Sequence, residues 1–320
     1  LVSISMVLLL VLGALVGCGQ SATTNEQENV TLDIFQGKVE VVEQLEALVE
    51  DFEKEYPHIT VNLDTSGGGE DYIAILKSRM NSGNQPAIFQ VPGPTERDLW
   101  KDFLADLSEE KWVGVTADGL LENITVDGKV LGQPVNIEGY GVMYNRAILS
   151  KAGVTDEMIK DVDTLSELKA IFEAVDSKKD ELGLEATMGW SVGGTAWWVA
   201  AYHTFNVPFA MQEDPMKFII DLDDDKANLI DNDRMLAFKD LVDTFVKYSY
   251  EDVASIDYEK QYSDFASGKT AFIQQGNWTI NQLSEIDENL DIAFLPIAIS
   301  DEAGWGNDSV SLVGFGTFLV

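Results

Sequence analysis

The sequence contains very little of the two residue types that most often hold metals or act as nucleophiles. It has one cysteine, Cys18, and two histidines, His58 and His203, among 320 residues. A single cysteine cannot form a disulfide within the chain, and no His-Glu-x-x-His motif occurs. The sequence therefore predicts no metal and no cofactor, and it favours a binding protein over an enzyme.

Basic residues are also scarce. The 21 lysines and arginines face 55 aspartates and glutamates, which gives a net charge of -34. Such a field repels phosphate backbones and anionic lipid surfaces, so nucleic acid is excluded as a partner. It also counts against a strongly anionic ligand. The acidic stretch 221–225 (DLDDD) is expected to be a solvated loop, because Lys226 and Asn232 stand where an EF-hand needs glycine and glutamate.

One apolar run, from Leu1 to Gly17, carries no charge. It is shorter than the roughly 20 residues that a membrane-spanning helix needs, and it ends at Cys18. This arrangement resembles the lipobox of bacterial lipoproteins, which implies that 1–17 is a signal peptide and that Cys18 carries acyl chains. The polar segment 18–29 is then a lipidated cysteine followed by a flexible tether. We expect the natural chain to begin a few residues earlier.

The remaining sequence is long enough for two lobes. From Val30, short apolar strands alternate with amphipathic helices in the order β-α-β-α-β. This order predicts a mostly parallel sheet. The predicted helices end at Pro57 and at Gly83. Further helices are expected at 164–178, 195–206, 233–248 and 258–267, and strands at 59–63, 87–91, 140–144, 292–295 and 310–320. Because the last strand ends the sequence, we expect a C-terminal portion to be missing.

Four segments in this order resemble the extracellular sugar-binding proteins of ABC transporters, of the maltose-binding type. They are Phe52–Leu63 (FEKEYPHITVNL), Ser82–Val91 (SGNQPAIFQV), Gln133–Ile148 (QPVNIEGYGVMYNRAI) and Phe265–Trp278 (FASGKTAFIQQGNW). Ala87 departs from the family pattern, which usually has aspartate there.

The resemblance implies an α/β, two-lobed periplasmic-binding-protein-like fold with a hinge of crossing strands. Residues 30–136 plus 296–320 would form lobe one, and 137–295 would form lobe two with the hinge segments. The implied function is to capture a mono- or oligosaccharide at the cell surface and deliver it to the permease subunits of an ABC importer. The protein would be a monomer, anchored to the membrane through its lipid.

Sugar binding needs flat apolar faces for the ring and polar side chains for its hydroxyls. By resemblance Trp278 matches the stacking tryptophan of the family, with Asn277 beside it. Two adjacent tryptophans open a helix further upstream, and adjacent helical residues point about 100° apart. We choose Trp197 as the ligand contact and treat Trp198 as a core residue.

Further candidates lie on the crossing segment and at strand ends. Glu138 matches a cleft carboxylate of the family, and Tyr140 is its neighbour. Gln36 and Gln90 close two strands of lobe one, where α/β sheets place ligands. Glu70 follows a run of three glycines and could reach the edge of the cleft. A surface glycoside-active enzyme with paired carboxylates, or a binder of another small polar solute, remains open as an alternative.

Overall fold

The computed structural model describes residues 28–67, 70–160 and 162–306, and the backbone of 311–319. The predicted signal peptide, Cys18 and nearly all of the predicted tether lie outside the described residues, as do Gly68 and Gly69. Within the described part of the chain, no helix is long and apolar enough to cross a membrane.

The first lobe begins with the predicted alternation of strands and helices, which is confirmed. Its main elements are β1 (Val30–Gln36), α1 (Val42–Glu55), β2 (Ile59–Thr65), α2 (Tyr72–Ser82), β3 (Ile88–Val91) and α3 (Pro94–Trp100), with 3-10 turns at Val39–Val41, Lys101–Phe103, Val113–Val115 and Glu122–Ile124. β1 lies between β2 and β3 and runs parallel to both. A small hairpin of β4 (Thr125–Val126) and β5 (Lys129–Val130) follows.

Local signals set the ends of α2. The Asp71 carboxylate accepts a hydrogen bond from the Ala74 backbone N at 3.0 Å, as an N-cap does. At the other end Gly83 takes a left-handed conformation with φ of 81°, which favours glycine.

The second lobe is richer in helix. Its elements are α4 (Arg146–Ala152), α5 (Asp156–Lys160), α6 (Leu165–Asp176), α7 (Lys179–Leu182), β7 (Ala186–Gly189), a 3-10 turn (Gly194–Ala196), a π-helix (Val199–Thr204), α8 (Val207–Ala210), α9 (Pro215–Asp223), α10 (Asp233–Tyr248), α11 (Tyr258–Ala266), β8 (Thr270–Gly276), a 3-10 turn (Asn277–Thr279), α12 (Ile280–Ile286) and β9 (Ile292–Leu295).

Two long strands pass between the lobes: β6 (Gln133–Asn145) and β10 (Ser311–Leu319). β10 pairs antiparallel with β3 on one side and with the first half of β6 on the other. The second half of β6 pairs with β8 and β9. The resulting strand order is β2-β1-β3-β10-β6-β8-β7, so one hydrogen-bonded path links both lobes.

Each lobe has its own hydrophobic core. The first-lobe core packs α2 against the sheet, with Phe35 stacked on Tyr72 at a ring-centroid distance of 4.7 Å. The largest core in the second lobe surrounds Phe172 of α6, whose ring is fully buried. It contacts the ring of Phe272 at 4.7 Å. Separate cores joined by shared strands are what a two-lobed α/β fold requires.

Two predicted segments differ from the structure. The helix expected over 195–206 is a 3-10 turn followed by the π-helix Val199–Thr204, because an apolar period does not distinguish these windings. The stretch 221–225 is not a loop throughout, since its first three residues end α9. Lys217 bonds the Asp221 carboxylate one helical turn away.

The second-lobe core yields a test of the fold. Phe172→Ala removes a fully buried ring and should lower the free energy of unfolding by about 3–5 kcal/mol. Phe103→Ala, at a ring that is 59% exposed, is the matched control and should cost far less. Urea unfolding of both variants measures the difference. Equal losses would contradict the position of Phe172 in the core.

Candidate functional site

Trp278 stands just beyond β8, in the turn that the sequence singled out. Its half-buried indole lies over Gly276, where an added Cβ would come within 2.1 Å of the ring. Only glycine leaves room for the ring in this position. The Asn277 Oδ1 accepts a hydrogen bond from the backbone N of Gly139 at 3.1 Å, which ties the turn to β6.

A chain of buried amides fixes the orientation of that indole. The Trp278 Nε1–H donates to Gln275 Oε1 at 3.1 Å, and Gln275 Nε2 donates to Gln261 Oε1 at 2.6 Å. Gln261 Nε2 then donates to the carbonyl oxygen of Gly189 at 2.6 Å. Both glutamines are fully buried, so each amide depends on these partners for its hydrogen bonds. The network orients the ring through its nitrogen and leaves its faces for contacts.

Two rings contact Trp278, and a third packs behind one of them. The centroid of His203 lies 4.7 Å from that of Trp278, and Trp198 lies 6.2 Å from Trp278. Trp198 and His203 are themselves 5.2 Å apart. On its other side His203 is stacked on Tyr140, at 4.8 Å and an interplanar angle of 24°. Tyr140 is fully buried and its hydroxyl accepts from Asn206 Nδ2 at 3.0 Å, so it supports the cluster from behind.

The two adjacent tryptophans are placed differently from each other. Trp198 is half-buried and contacts Trp278, whereas Trp197 is 45% exposed and packs edge-on against Tyr202. Partial burial, followed by the charges of Glu96 and Asp71, raises the pKa of the Tyr202 phenol. Those two acids belong to the first lobe, so Tyr202 is on the side of the second lobe that is nearer to them. Trp197 thus stays a predicted contact at the rim, and Trp198 is added at the centre.

A charged group lies beside the aromatic rings. The Lys38 Nζ is 2.6 Å from both carboxylate oxygens of Glu138 and 3.3 Å from Glu40. Glu138 is buried and its Oε1 also accepts from Asn136 Nδ2 at 3.0 Å. Removing either charge would leave the other buried without its main counter-charge, which is strongly unfavourable. We call Lys38, Glu138, Trp198, His203 and Trp278 the interlobe cluster.

Direct contacts join the two lobes at this place. Lys38 follows β1 in the first lobe and reaches Glu138 on the crossing strand β6. The Asn281 Nδ2 of α12 donates to the Glu40 carbonyl oxygen at 3.0 Å. The interlobe cluster therefore lies where the lobes meet, as a site that closes on its ligand requires.

The remaining predicted residues form a shell in the first lobe. Gln36 is fully buried and its Nε2 donates to Thr65 Oγ1 at 2.6 Å. The Gln90 Oε1 accepts from the backbone N of Gly37 at 2.9 Å. Glu70 is exposed and accepts from the Ser66 hydroxyl at 2.6 Å. The two glutamines shape the turn that carries Lys38, and Glu70 lies further out.

Two surface grooves lie elsewhere in the second lobe. One of about 510 Å³ separates α6 from α10, and one of about 600 Å³ borders β9. Charged side chains that line them pair with one another, as Lys247 does with Glu173 at 3.2 Å and Arg146 with Asp156 at 3.7 Å. Among the described residues no group of His, Cys, Asp or Glu could hold a metal ion.

Sequence reasoning missed several members of the site. Lys38 and His203 are far in the chain from their partners, and only the Gly37 turn at the end of β1 hinted at Lys38. A Gly-x-Ser-x-Gly pattern at Gly189–Gly193 was also missed. Its Ser191 is fully buried and its hydroxyl donates to the carbonyl oxygen of Ile256, whereas a nucleophile of this motif must be exposed on a sharp turn.

Comparisons with known proteins show which family the chain belongs to. The sequence model of the bacterial extracellular solute-binding proteins matches residues 47–320. The chain belongs to this family. Membership places the protein outside the cytoplasm, in a family of binding proteins.

Curated relatives share modest identity. A multiple sugar-binding protein of Streptococcus mutans is 24% identical over 185 residues, which cover 56% of this chain and 42% of the relative. The melibiose/raffinose/stachyose-binding protein MelE of Bacillus subtilis is 29% identical over 168 residues, 49% of this chain and 38% of the relative. The match therefore spans less than half the length of these two relatives.

Solved structures share the fold. A chitin oligosaccharide binding protein superposes with a TM-score of 0.71 at 21% identity, covering 91% of this chain and 72% of the other. A sugar transporter from Bacillus licheniformis in complex with stachyose gives a TM-score of 0.66 at 21% identity, covering 91% and 73%. The predicted two-lobed α/β fold is confirmed.

The environment of His203 predicts how stability depends on pH. Burial, followed by the nearby Lys38 charge, lowers the pKa of its imidazole from 6.5 to about 3. The unfolded chain therefore takes up a proton below about pH 6.5 while the folded chain does not, and stability falls as the pH falls. Between about pH 6.5 and 5 this amounts to about 2 kcal/mol.

Exchanging the histidine should remove this dependence. His203→Gln should flatten the plot of unfolding free energy against pH over that window, measured by urea titration at each pH. His58→Gln is the control and should keep the slope of the unsubstituted protein. A slope unchanged in His203→Gln would show that the imidazole is not held neutral in the fold.

Proposed function

We propose that this protein binds a carbohydrate outside the cell and delivers it to the permease subunits of an ABC importer. The observation that carries the proposal is the Trp278 indole, which the buried amide chain orients and whose turn is bonded to Gly139, the residue after Glu138, where the lobes meet. A fixed aromatic plane next to hydrogen-bonding groups suits a sugar, whose ring has an apolar face and a rim of hydroxyls. Relatives named for raffinose, stachyose and chitin oligosaccharides support the same class of ligand.

Within this proposal the predicted residues have distinct roles. Trp278 and Trp198 offer aromatic faces at the centre, and Trp197 contributes at the rim. Glu138 and Asn277 supply hydrogen-bond acceptors. Tyr140, Gln36 and Gln90 shape the site from behind, and Glu70 lies at its edge.

The lobe boundaries predicted from the sequence belong to the same proposal. The sequence puts 30–136 plus 296–320 in one lobe and 137–295 in the other. Ile297 and Ile299, however, belong to the core around Phe172, so this short stretch goes with the second lobe. The two lobes then close around the sugar by motion in the crossing strands. The protein acts as a monomer. Residues 1–17 are removed as a signal peptide, and lipid on Cys18 anchors the protein to the membrane. Residues 18–29 contain this cysteine and the flexible tether.

The role of Trp278 is tested by affinity and stability together. A ligand is first found by calorimetric screening of neutral mono- and oligosaccharides. Trp278→Ala should weaken its binding roughly ten- to a hundredfold, because ring stacking contributes about 1–3 kcal/mol. Trp278→Phe keeps an aromatic face without the indole nitrogen and should lose less. The sugars must also be recovered unchanged, since turnover would indicate a glycoside-active enzyme.

Trp112→Ala is the matched control for that experiment. Trp112 is also half-buried, but it packs on the first-lobe core away from the interlobe cluster. Its replacement should lower the melting temperature and leave affinity in the folded protein intact. If Trp278→Ala behaves in the same way, its ring is a core residue and the stacking role is wrong.

The lipid anchor has a separate test. In a bacterial host that processes lipoproteins, Cys18→Ala should abolish acylation and release the protein into the soluble extracytoplasmic fraction, or leave the precursor uncleaved. Two acyl chains give stable anchoring, so their loss should be visible by fractionation and mass spectrometry. Ser21→Ala, three residues away, should stay acylated and membrane-bound. A Cys18→Ala protein that is still cleaved and membrane-bound would rule out this anchor.

A further inference from the structure

The charge arrangement of the interlobe cluster bears on the kind of saccharide that it accepts. The Lys38 side chain is 17% exposed, and the side chains of Glu138 and Glu40 are 6% and 12% exposed. These three groups are thus largely shielded from water, where electrostatic contacts are stronger than at the surface. They comprise two acids and one base.

We propose that the pairing of Lys38 with Glu138 and Glu40 sets the charge preference of the site: the ammonium is occupied and the three groups keep one negative charge in excess, so the interlobe cluster accepts uncharged saccharides and rejects those that carry a carboxylate or phosphate. This inference rests on the proposed function, because it specifies the ligand class of the same site.

The first argument is that the Lys38 ammonium is already engaged. Both Glu138 oxygens lie 2.6 Å from Nζ, a short charge-assisted pairing, and the Glu40 oxygen lies 3.3 Å away. A ligand carboxylate that approached Nζ would have to displace Glu138. The buried Glu138 carboxylate would then keep the hydrogen bond from Asn136 Nδ2 but lose its closest positive charge. Exchanging one buried ion pair for another while stranding a charge is unfavourable.

The second argument concerns the other groups that face the site. His203 is buried against Trp278 and Tyr140 and stays neutral at ordinary pH, so it adds no positive charge. From the first lobe, Asp71 and Glu96 act on the Tyr202 phenol as negative charges. A ligand carboxylate or phosphate that entered the site would be repelled by these negative charges, which opposes its binding.

An uncharged sugar meets no such opposition. Its hydroxyls can donate to carboxylate oxygens of Glu138 without displacing Lys38, because each oxygen has more than one lone pair. Stacking on the Trp278 ring does not depend on whether a distant carbon of the sugar ring bears a hydroxymethyl group or a carboxylate. The discrimination therefore comes from the charged triad.

The experiment compares neutral saccharides with acidic counterparts of the same backbone. Binding is measured by calorimetry for galactobiose and digalacturonate, for xylobiose with and without a glucuronosyl branch, and for maltose and maltose phosphate. The proteins are the unsubstituted chain, Glu138→Gln, Glu40→Gln and the control Glu109→Gln, which makes the same change of net charge at an exposed residue. Ionic strength is held constant, because it screens the general field.

For each saccharide pair that binds the unsubstituted protein, the dissociation constant of the neutral member should be at least about tenfold lower than that of the acidic member. Glu138→Gln removes the carboxylate at 2.6 Å from the Lys38 ammonium and should narrow that difference in affinity by about tenfold, equivalent to about 1.4 kcal/mol. Glu40→Gln should narrow it by a smaller factor, and it serves as the second variant should Glu138→Gln not fold. Glu109→Gln should leave the difference in affinity between neutral and acidic saccharides unchanged.

The failures are distinguishable. If acidic saccharides bind the unsubstituted protein as tightly as neutral ones, or if the glutamate variants leave the difference in affinity unchanged, the role of Lys38 is overturned while carbohydrate binding stands. If the difference narrows equally in Glu109→Gln, overall charge and not the triad decides, and the role of Lys38 is again overturned. If saccharides of neither kind bind, the proposed function itself fails, and this inference fails with it.

Discussion

The antiparallel pairing of β6 along its whole length is the constraint on which the site depends. Its first half pairs with β10, which continues to β3 of the first lobe, and its second half pairs with β8 of the second. Register along this strand decides what lies next to what: Tyr140 is opposite Gly276. A shift of one residue would turn every side chain of β6 to the other face of the sheet. Glu138 and Tyr140 would then no longer share the side on which Trp278 lies.

Around that strand the site combines two kinds of interaction with different demands. The aromatic rings depend on shape, and a glycine beneath Trp278 is needed because any side chain there would overlap the ring. The triad of Lys38, Glu138 and Glu40 depends on charge balance and on exclusion of water. The amide chain behind Trp278 belongs to neither, yet it determines which way the indole faces.

Sequence patterns predicted the elements that local rules control. The end of α1 before Pro57 and the end of α2 at Gly83 followed from backbone chemistry, and the Gly276–Trp278 turn followed from a motif. The contacts of Lys38 could not be predicted in this way, since its partner Glu138 is 100 residues away in the chain. The contact of Trp198 with Trp278 could not be predicted for a related reason. The sequence pattern indicated an α-helix from Thr195 onward, whereas the structure has a 3-10 turn and then a π-helix there.

The π-helix itself has a consequence for how such a site can change. In an α-helix two residues five apart point about 140° away from each other, yet Trp198 and His203, five apart, are in ring contact at 5.2 Å. The wider turn brings both rings to one side. The number of residues in this turn therefore determines which side chains face the site. Substitution exchanges the ring at a fixed place, whereas gaining or losing one residue in the turn moves an existing ring into the site or out of it.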